Sequence, residues 1–143
     1  MAKKQQCIFC KIINGEIPAI KVYETSKNLA FLDINPLTLG HCLIIPKKHA
    51  ENIFDISLND FKDLMIDTQK LAKILKTSLK AQGINLVNSS GEIAGQSVFH
   101  FHFHLIPRYK NDDLKFNDWW NKKTKKVDNR RLLKIAQKIN KNK

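Results

Sequence analysis

The chain is predicted to fold as an α+β domain: a five-stranded antiparallel sheet with one long helix and a short N-terminal helix. Three observations predict it. Short apolar runs rich in Ile, Leu, Val and Phe are separated by Pro, Gly and Asn turns. One long stretch repeats its apolar positions at the helical period. The order along the chain is strands, helix, strands, which suits an antiparallel sheet covered by a helix.

Phe9 to Ile13 reads as a short helical turn, ended by the breaker Ile17-Pro18-Ala19. Lys21 to Glu24 and Leu29 to Ile34 read as two strands joined across the turn-like Thr25-Ser26-Lys27-Asn28, the second closed by Asn35-Pro36. Gly40 opens a third strand, His41 to Ile45, stopped by Pro46. Ser57 with Asp60 forms an N-cap, and Leu58, Phe61, Leu64, Met65, Leu71, Ala72, Leu75 and Leu79 form one helical stripe. Gly83 stands where a helix terminator is expected. Ile84 to Val87 is the fourth strand, Asn88-Ser89-Ser90-Gly91 a turn, Glu92 to Gln96 a loop, and Ser97 to Ile106 the fifth strand, ended by Pro107. A last amphipathic helix is expected around Arg130 to Ile139. These elements divide into a domain over 1–115 and a basic, partly helical tail over 116–143.

With 143 residues, 43% hydrophobic and 27% charged, one globular domain is the natural organisation. No apolar stretch approaches the roughly 20 residues that cross a bilayer, so no membrane partner is expected. Lys3 and Lys4 open like an export signal, but Lys11, Asn14 and Glu16 break the apolar run that should follow. Three cysteines, Cys7, Cys10 and Cys42, are an odd set that argues against a disulfide framework and for a reducing, cytoplasmic setting. Cys7-x-x-Cys10 has the spacing of a zinc half-site; two reduced cysteines packed as small apolar groups is the other reading. The net charge of +12 is uneven. Residues 122–143 hold ten Lys or Arg against Asp128, so the tail carries +9 of it. That tail suits nonspecific contact with nucleic acid, but it has no interleaved aromatics for base stacking. Trp119-Trp120, just before it, suits either a cap over a partner's site or the filling of a core groove.

The residues with the most chemistry are His100, His102 and His104, alternating with Phe99, Phe101, Phe103 and Leu105. At a period of two, the imidazoles share one face of a strand and the apolar residues the other; a helix would scatter them. Such a face could be merely solvated, could hold a zinc ion on three histidines, or could act on a phosphate. Gly95-Gln96-Ser97 upstream favours the last, because free amides beside a glycine make a nest for phosphate oxygens. A neutral imidazole is a competent nucleophile toward phosphorus, and a protonated neighbour can protonate a leaving group. Taken alone, Asp33 before Asn35-Pro36 reads better as a turn residue, His41 as an ordinary part-buried histidine, and Asn88 as a turn residue.

Four segments together resemble the histidine triad (HIT) superfamily, near its Hint branch. They are Cys7-Ile-Phe-Cys10 through Gly15-Glu-Ile-Pro18, Ala30-Phe-Leu-Asp33-Ile-Asn-Pro36, Gly40-His41 through Pro46-Lys-Lys-His49, and Gly95-Gln-Ser-Val-Phe-His-Phe-His-Phe-His104. The resemblance implies a homodimer with one ten-stranded sheet, and nucleotidyl hydrolase or transferase activity on a purine nucleoside 5′-phosphate derivative. It implies His102 as the nucleophile of a covalent nucleotidyl–imidazole, His104 as the phosphate-contacting imidazole, and His41 as support for the nucleophile. It places Asp33 at the ribose, Ile34 at the base, and Asn88, Gly95, Gln96 and Ser97 at the phosphate and leaving group. It also implies that His49 and His100 complete a structural, non-catalytic zinc site with Cys7 and Cys10. Glu92-Ile93-Ala94 departs from the glycine-rich stretch of Hint proteins, and Pro107-Arg108 resembles the dinucleoside polyphosphate hydrolases. The leaving group therefore stays open between an amine, an acyl phosphate and a second nucleotide. A regulatory nucleotide-binding module with slow turnover, and an RNA or DNA accessory protein acting through its tail, are the rival readings.

Overall fold

In a computed structural model, the described residues are 6–142, with the side chains of Trp119 and Trp120 outside the description. The role expected for that tryptophan pair therefore lies outside the described residues. The chain divides into two compact units, Met1–Asp112 and Asp113–Lys143.

The first unit holds helices α1 (Ile8–Ile13) and α2 (Leu58–Leu79) and strands β1 (Lys21–Glu24), β2 (Asn28–Leu32), β3 (Cys42–Pro46), β4 (Gly83–Val87) and β5 (Phe103–Arg108). The strands form one antiparallel sheet in the order β1-β2-β3-β5-β4. This is the predicted α+β class with its five strands and long helix.

Strand alternation divides the core into two layers. On one face Ala30, Cys42, Ile44, Phe101, Phe103 and Leu105 pack with Leu64, Leu71 and Leu75 of α2. On the other, Leu29, Phe31, Leu43 and Ile45 pack with Cys7, Phe9, Cys10 and Ile12 from the N-terminal segment. The central strands β2 and β3 are thus buried on both sides, which explains why they read as continuous apolar runs.

The α2 N-cap follows the sequence: the Ser57 hydroxyl accepts from the Asp60 amide at 3.2 Å and donates to the Asp60 carboxylate at 2.6 Å. Its far end differs. Lys80 takes the left-handed conformation (φ 54°), and Gly83 is the first residue of β4 instead of the terminator. The fifth strand is also shorter at its start than expected. Residues 97–102 have no strand partner, and pairing begins at Phe103 opposite Ile44 and runs through Pro107 to Arg108.

Asp67 ties α2 to the β1–β2 turn. Its carboxylate accepts from Tyr23 Oη (3.0 Å), Thr25 Oγ1 (3.0 Å) and Asn28 Nδ2 (2.8 Å). Burial pushes this carboxyl up, but the bonds from Asn28, Tyr23, Thr25 and Lys70 outweigh it and hold it below its usual value. Asp67→Ala would leave the Asn28 amide, 1% exposed, without this acceptor. The expected loss is about 2–3 kcal/mol, read as a lower denaturant midpoint at unchanged slope. A change below about 0.5 kcal/mol would show that the network carries no load.

The second unit contains α3 (Phe116–Lys123) and α4 (Asn129–Asn140). The Asp128 carboxylate caps α4 by accepting from the Arg131 amide at 2.9 Å. The sequence reading placed one helix here; α3 is an addition to it.

Candidate functional site

The alternation survives from His100 to Leu105 although only its last part is strand, whereas Phe99 is exposed. Phe101 and Phe103 point to α2, while Phe9 of α1 lies against both His100 and His102. The three imidazoles do not share one task, however. His100 turns away to a cysteine cluster, and His102 and His104 stay together, their ring centroids 5.0 Å apart.

Hydrogen bonds assign the proton on each ring. The His102 Nδ1 lies 2.7 Å from the His100 carbonyl, which can only accept, so Nδ1 carries the hydrogen and Nε2 presents a bare lone pair. The Leu37 amide donates to His41 Nδ1 at 3.1 Å, so the hydrogen of neutral His41 sits on Nε2. That hydrogen points to His104 Nδ1, 2.9 Å away, which leaves His104 with its own hydrogen on Nε2. The site therefore offers one nucleophilic nitrogen and, beside it, one N–H donor backed by a second imidazole. The bond from His41 goes to His104, the neighbour of His102.

Burial keeps these rings neutral. It pushes His104 down to about 4, with His102 and His41 adding to the effect and the Asp33 carboxylate opposing it. It also lowers His102 and His41, against the raising influence of the His100 carbonyl on His102 and of Asp33 on both. In the unfolded chain these imidazoles take a proton near pH 6.5. Between that pH and about 4 the unfolded state binds more protons than the folded one, so stability falls as the solution is acidified through that window. A melting-temperature profile from pH 8 to 4 is expected to decline below about 6.5, and His104→Gln to flatten the decline. A profile level down to pH 4 would contradict the neutral, buried pair.

The remaining expected residues are distributed as follows. Asp33 closes an Asx turn, Oδ1 accepting from the Asn35 amide at 2.8 Å, while Oδ2 lies 3.7 Å from His41 Nε2. Ile34 is exposed on the loop after β2, and Ser97 is exposed before the histidines. Gly95 adopts φ +91° after the short turn Glu92–Ala94, and its amide and that of Gln96 donate to the Glu92 and Gly91 carbonyls, so these two are not the free amides expected of a phosphate nest. Asn88 donates to the His102 carbonyl at 2.8 Å, so its amide holds the histidine segment. Gln96 is buried, donating to the Glu51 and Val98 carbonyls and accepting from the Gly91 amide. Both amides thus build the loop. Arg108 is clamped by Asp112 and Asn85 at the sheet's end, a structural use of the Pro107-Arg108 pair.

The cluster that takes His100 consists of Cys7, Cys10, His49 and His100. The His100 Nε2 faces the Pro46 carbonyl at 2.8 Å, so that nitrogen carries the hydrogen and Nδ1 is bare. This Nδ1 lies 3.4 Å from Cys7 Sγ, 3.6 Å from Cys10 Sγ and 3.2 Å from His49 Nδ1; Cys10 Sγ and His49 Nδ1 are 3.4 Å apart. A tetrahedral zinc ion with bonds of about 2.0–2.3 Å needs ligand separations of about 3.3–3.8 Å, so the donor set fits in type and size. The Pro46 carbonyl on His100 is the outer contact such ligands use to hold their orientation. Asp33, His41 and His104 also gather their donor atoms, with His41 Nε2 and His104 Nδ1 2.9 Å apart.

A five-stranded antiparallel sheet that presents linked imidazoles at one strand, with a Cys/His cluster at that strand's approach, defines a recognisable class of protein. The chain belongs to the HIT domain family, which it matches over residues 14–111. It is 45% identical over 112 residues to the adenosine 5′-monophosphoramidase of Candida albicans, covering 76% of this chain and 74% of that protein. Among solved structures it resembles a protein from Streptococcus mutans at 41% identity and a TM-score of 0.86, covering 96% of this chain and 85% of the other. It also resembles a zinc-bound histidine triad family protein from Mycobacterium smegmatis at 38% identity and a TM-score of 0.75, covering 79% of this chain and 82% of the other. No helix among the described residues is long and apolar enough to cross a membrane.

Thr38 was missed by sequence reading. It is buried, and its hydroxyl donates to the Pro107 carbonyl at 2.6 Å. A hydroxyl between Pro36 and Gly40 was the only local signal, and its partner lies far away in the chain.

Proposed function

We propose that the protein is a nucleotidyl hydrolase or transferase that cleaves a purine nucleoside 5′-phosphate derivative, a phosphoramidate or a related compound, through a covalent intermediate on His102. The observation that carries the reading is the bare Nε2 of His102 beside the N–H of His104. The Candida albicans relative is named for phosphoramidate cleavage, which favours an amine as the leaving group.

In this reading an anionic phosphate against the His41–His104 pair draws one proton onto it. Nε2 of His102 then attacks phosphorus, the bond to the leaving nitrogen or oxygen breaks, and that atom takes the pair's proton. Water attacks the nucleotidyl–imidazole next and returns a proton to the pair, releasing the nucleoside monophosphate and free His102. Asp33 would accept from the ribose and Ile34 would lie along the base, with Gly95 and Ser97 at the phosphate.

Cys7, Cys10, His49 and His100 would hold a structural zinc ion, which when bound ties the N-terminal helix to the histidine segment. A homodimer joined at the β4 edge suits the exposed apolar residues Leu86 on β4 and Leu58, Ile66 and Ile74 on α2. Mixing the protein with adenosine phosphoramidate and quenching early should show by intact mass a transient adduct of one nucleotide, mapped to His102. Turnover with no such adduct under rapid quench, or an adduct on another residue, would reject the covalent role.

A further inference from the structure

We infer that Thr38 is a positioning residue for the reaction proposed above: its hydroxyl sets the spacing of the His41–His104 pair and the proton placement on it. The inference rests on that reading of the pair.

The two rings come from different places. His104 stands on β5, whereas His41 closes the loop of residues 33–41. A bond of 2.9 Å between them therefore depends on how firmly the loop is held to that strand. Thr38 is where it is held. Its Oγ1 reaches the carbonyl of Pro107, which lies three residues beyond His104 on β5. Its own carbonyl accepts from the His41 amide at 3.1 Å. The adjacent Leu37 supplies the amide that makes His41 Nδ1 an acceptor. One side chain thus connects the strand that carries one imidazole to the turn that orients the other.

The surroundings support a specific role. Ile34, Leu37 and Leu39 are all exposed, so apolar packing does little to hold this loop, whereas Thr38 is 8% exposed. Gly40 lets the chain make the turn into His41, with φ +85° and no room for a Cβ against the Leu79 side chain. The Tyr109 hydroxyl makes a second tie, to the Leu39 carbonyl at 2.9 Å, but it is exposed and has water as an alternative partner. Loss of the threonine hydroxyl would let the loop shift, and catalytic groups lose roughly two orders of magnitude in rate for a displacement of about 1 Å.

The test uses the full-length, metal-loaded protein with Thr38→Val, Thr38→Ala, Thr38→Ser and, as a peripheral control, Tyr109→Phe. Two readouts are taken: steady-state cleavage of adenosine phosphoramidate, and ¹⁵N shifts of the histidine ring nitrogens. The valine and alanine variants are expected to lose at least tenfold in kcat with KM within about twofold. Their His41 and His104 signals should move from single tautomers to averaged ones. Serine should restore both readouts, and Tyr109→Phe should leave both near the wild type. Should one apolar variant fail to fold, the other with serine decides. Wild-type turnover together with unchanged kcat and unchanged ring shifts in the folded apolar variants would overturn the inference alone. A wild type with the assigned tautomers and no cleavage would instead remove the functional reading on which it rests.

Discussion

Replacing His102 with alanine is expected to lower kcat by on the order of 10⁴-fold or more, the scale seen when a covalent nucleophile is removed. Nucleotide affinity should persist, because the ring is 5% exposed and acts through one nitrogen, while Asp33, Ser97 and Gly95 remain. The size of the effect follows from the hydrogen-bond arrangement. Only His102 has its Nδ1 hydrogen committed to a backbone carbonyl and its Nε2 left bare next to a donor. His104 cannot substitute, since its Nδ1 already accepts from His41. The nucleotide adduct in the quenched reaction should vanish in the same variant. Near-normal turnover would refute the assignment, and loss of binding together with activity would point to a site that has collapsed.

Cys10→Ser is expected to abolish tight zinc binding and to lower the melting temperature by roughly 10 °C, since closing a metal site adds several kcal/mol to folding. The ligands come from three separated parts of the chain, α1 and its N-cap, the segment after β3, and the approach to β5. A bound ion would cross-link these parts in addition to the packing of α1 against β2 and β3 and the bond from His100 to the Pro46 carbonyl. Nδ1 of His100 and Nδ1 of His49 lie 3.2 Å apart, with the Cys7 and Cys10 thiols as their other neighbours, so loss of the ion would leave only hydrogen bonds among these four groups. Metal analysis of the wild type should give about one ion per chain. Chelation of the wild type should reproduce the shift in melting. Protein that is metal-free as purified and melts at the same temperature with or without chelator would end the zinc reading.

Much of the fold was legible because its determinants are local. The α2 stripe and its Ser57 cap need only neighbours within one turn; the cap stands as read, and so does the stripe from Phe61 to Leu79, whereas Leu58 is exposed. Strands β2 and β3 were visible as apolar runs between turn residues. The errors fall where a partner decides. Alternation from residue 99 to 105 states which way side chains point, but a strand also needs a neighbour. Before Phe103 the chain instead leaves the ladder, the Phe101 amide donating to the Ala50 carbonyl at 2.7 Å. Gly83 was assigned to the end of α2 on residue type, yet Lys80 accepts the left-handed conformation and frees the glycine for β4. Helix α3 was readable in the spacing of Phe116, Trp119 and Trp120, and the surrounding lysines drew it into the tail.

By itself, the sequence determined the α+β class, the two periods that build it, and the residue types available for chemistry: histidines on one side of an extended segment and a cysteine pair near the N-terminus. The tertiary structure alone decided the division of labour among those histidines. An imidazole's role depends on which of its nitrogens is bare, and that is set by what faces the ring. The Pro46 carbonyl and Cys7, Cys10 and His49 claim His100; the His100 carbonyl orients His102; and His41, held through Thr38, orients His104. Most of these contacts join residues tens of positions apart, a distance no pattern along the chain encodes.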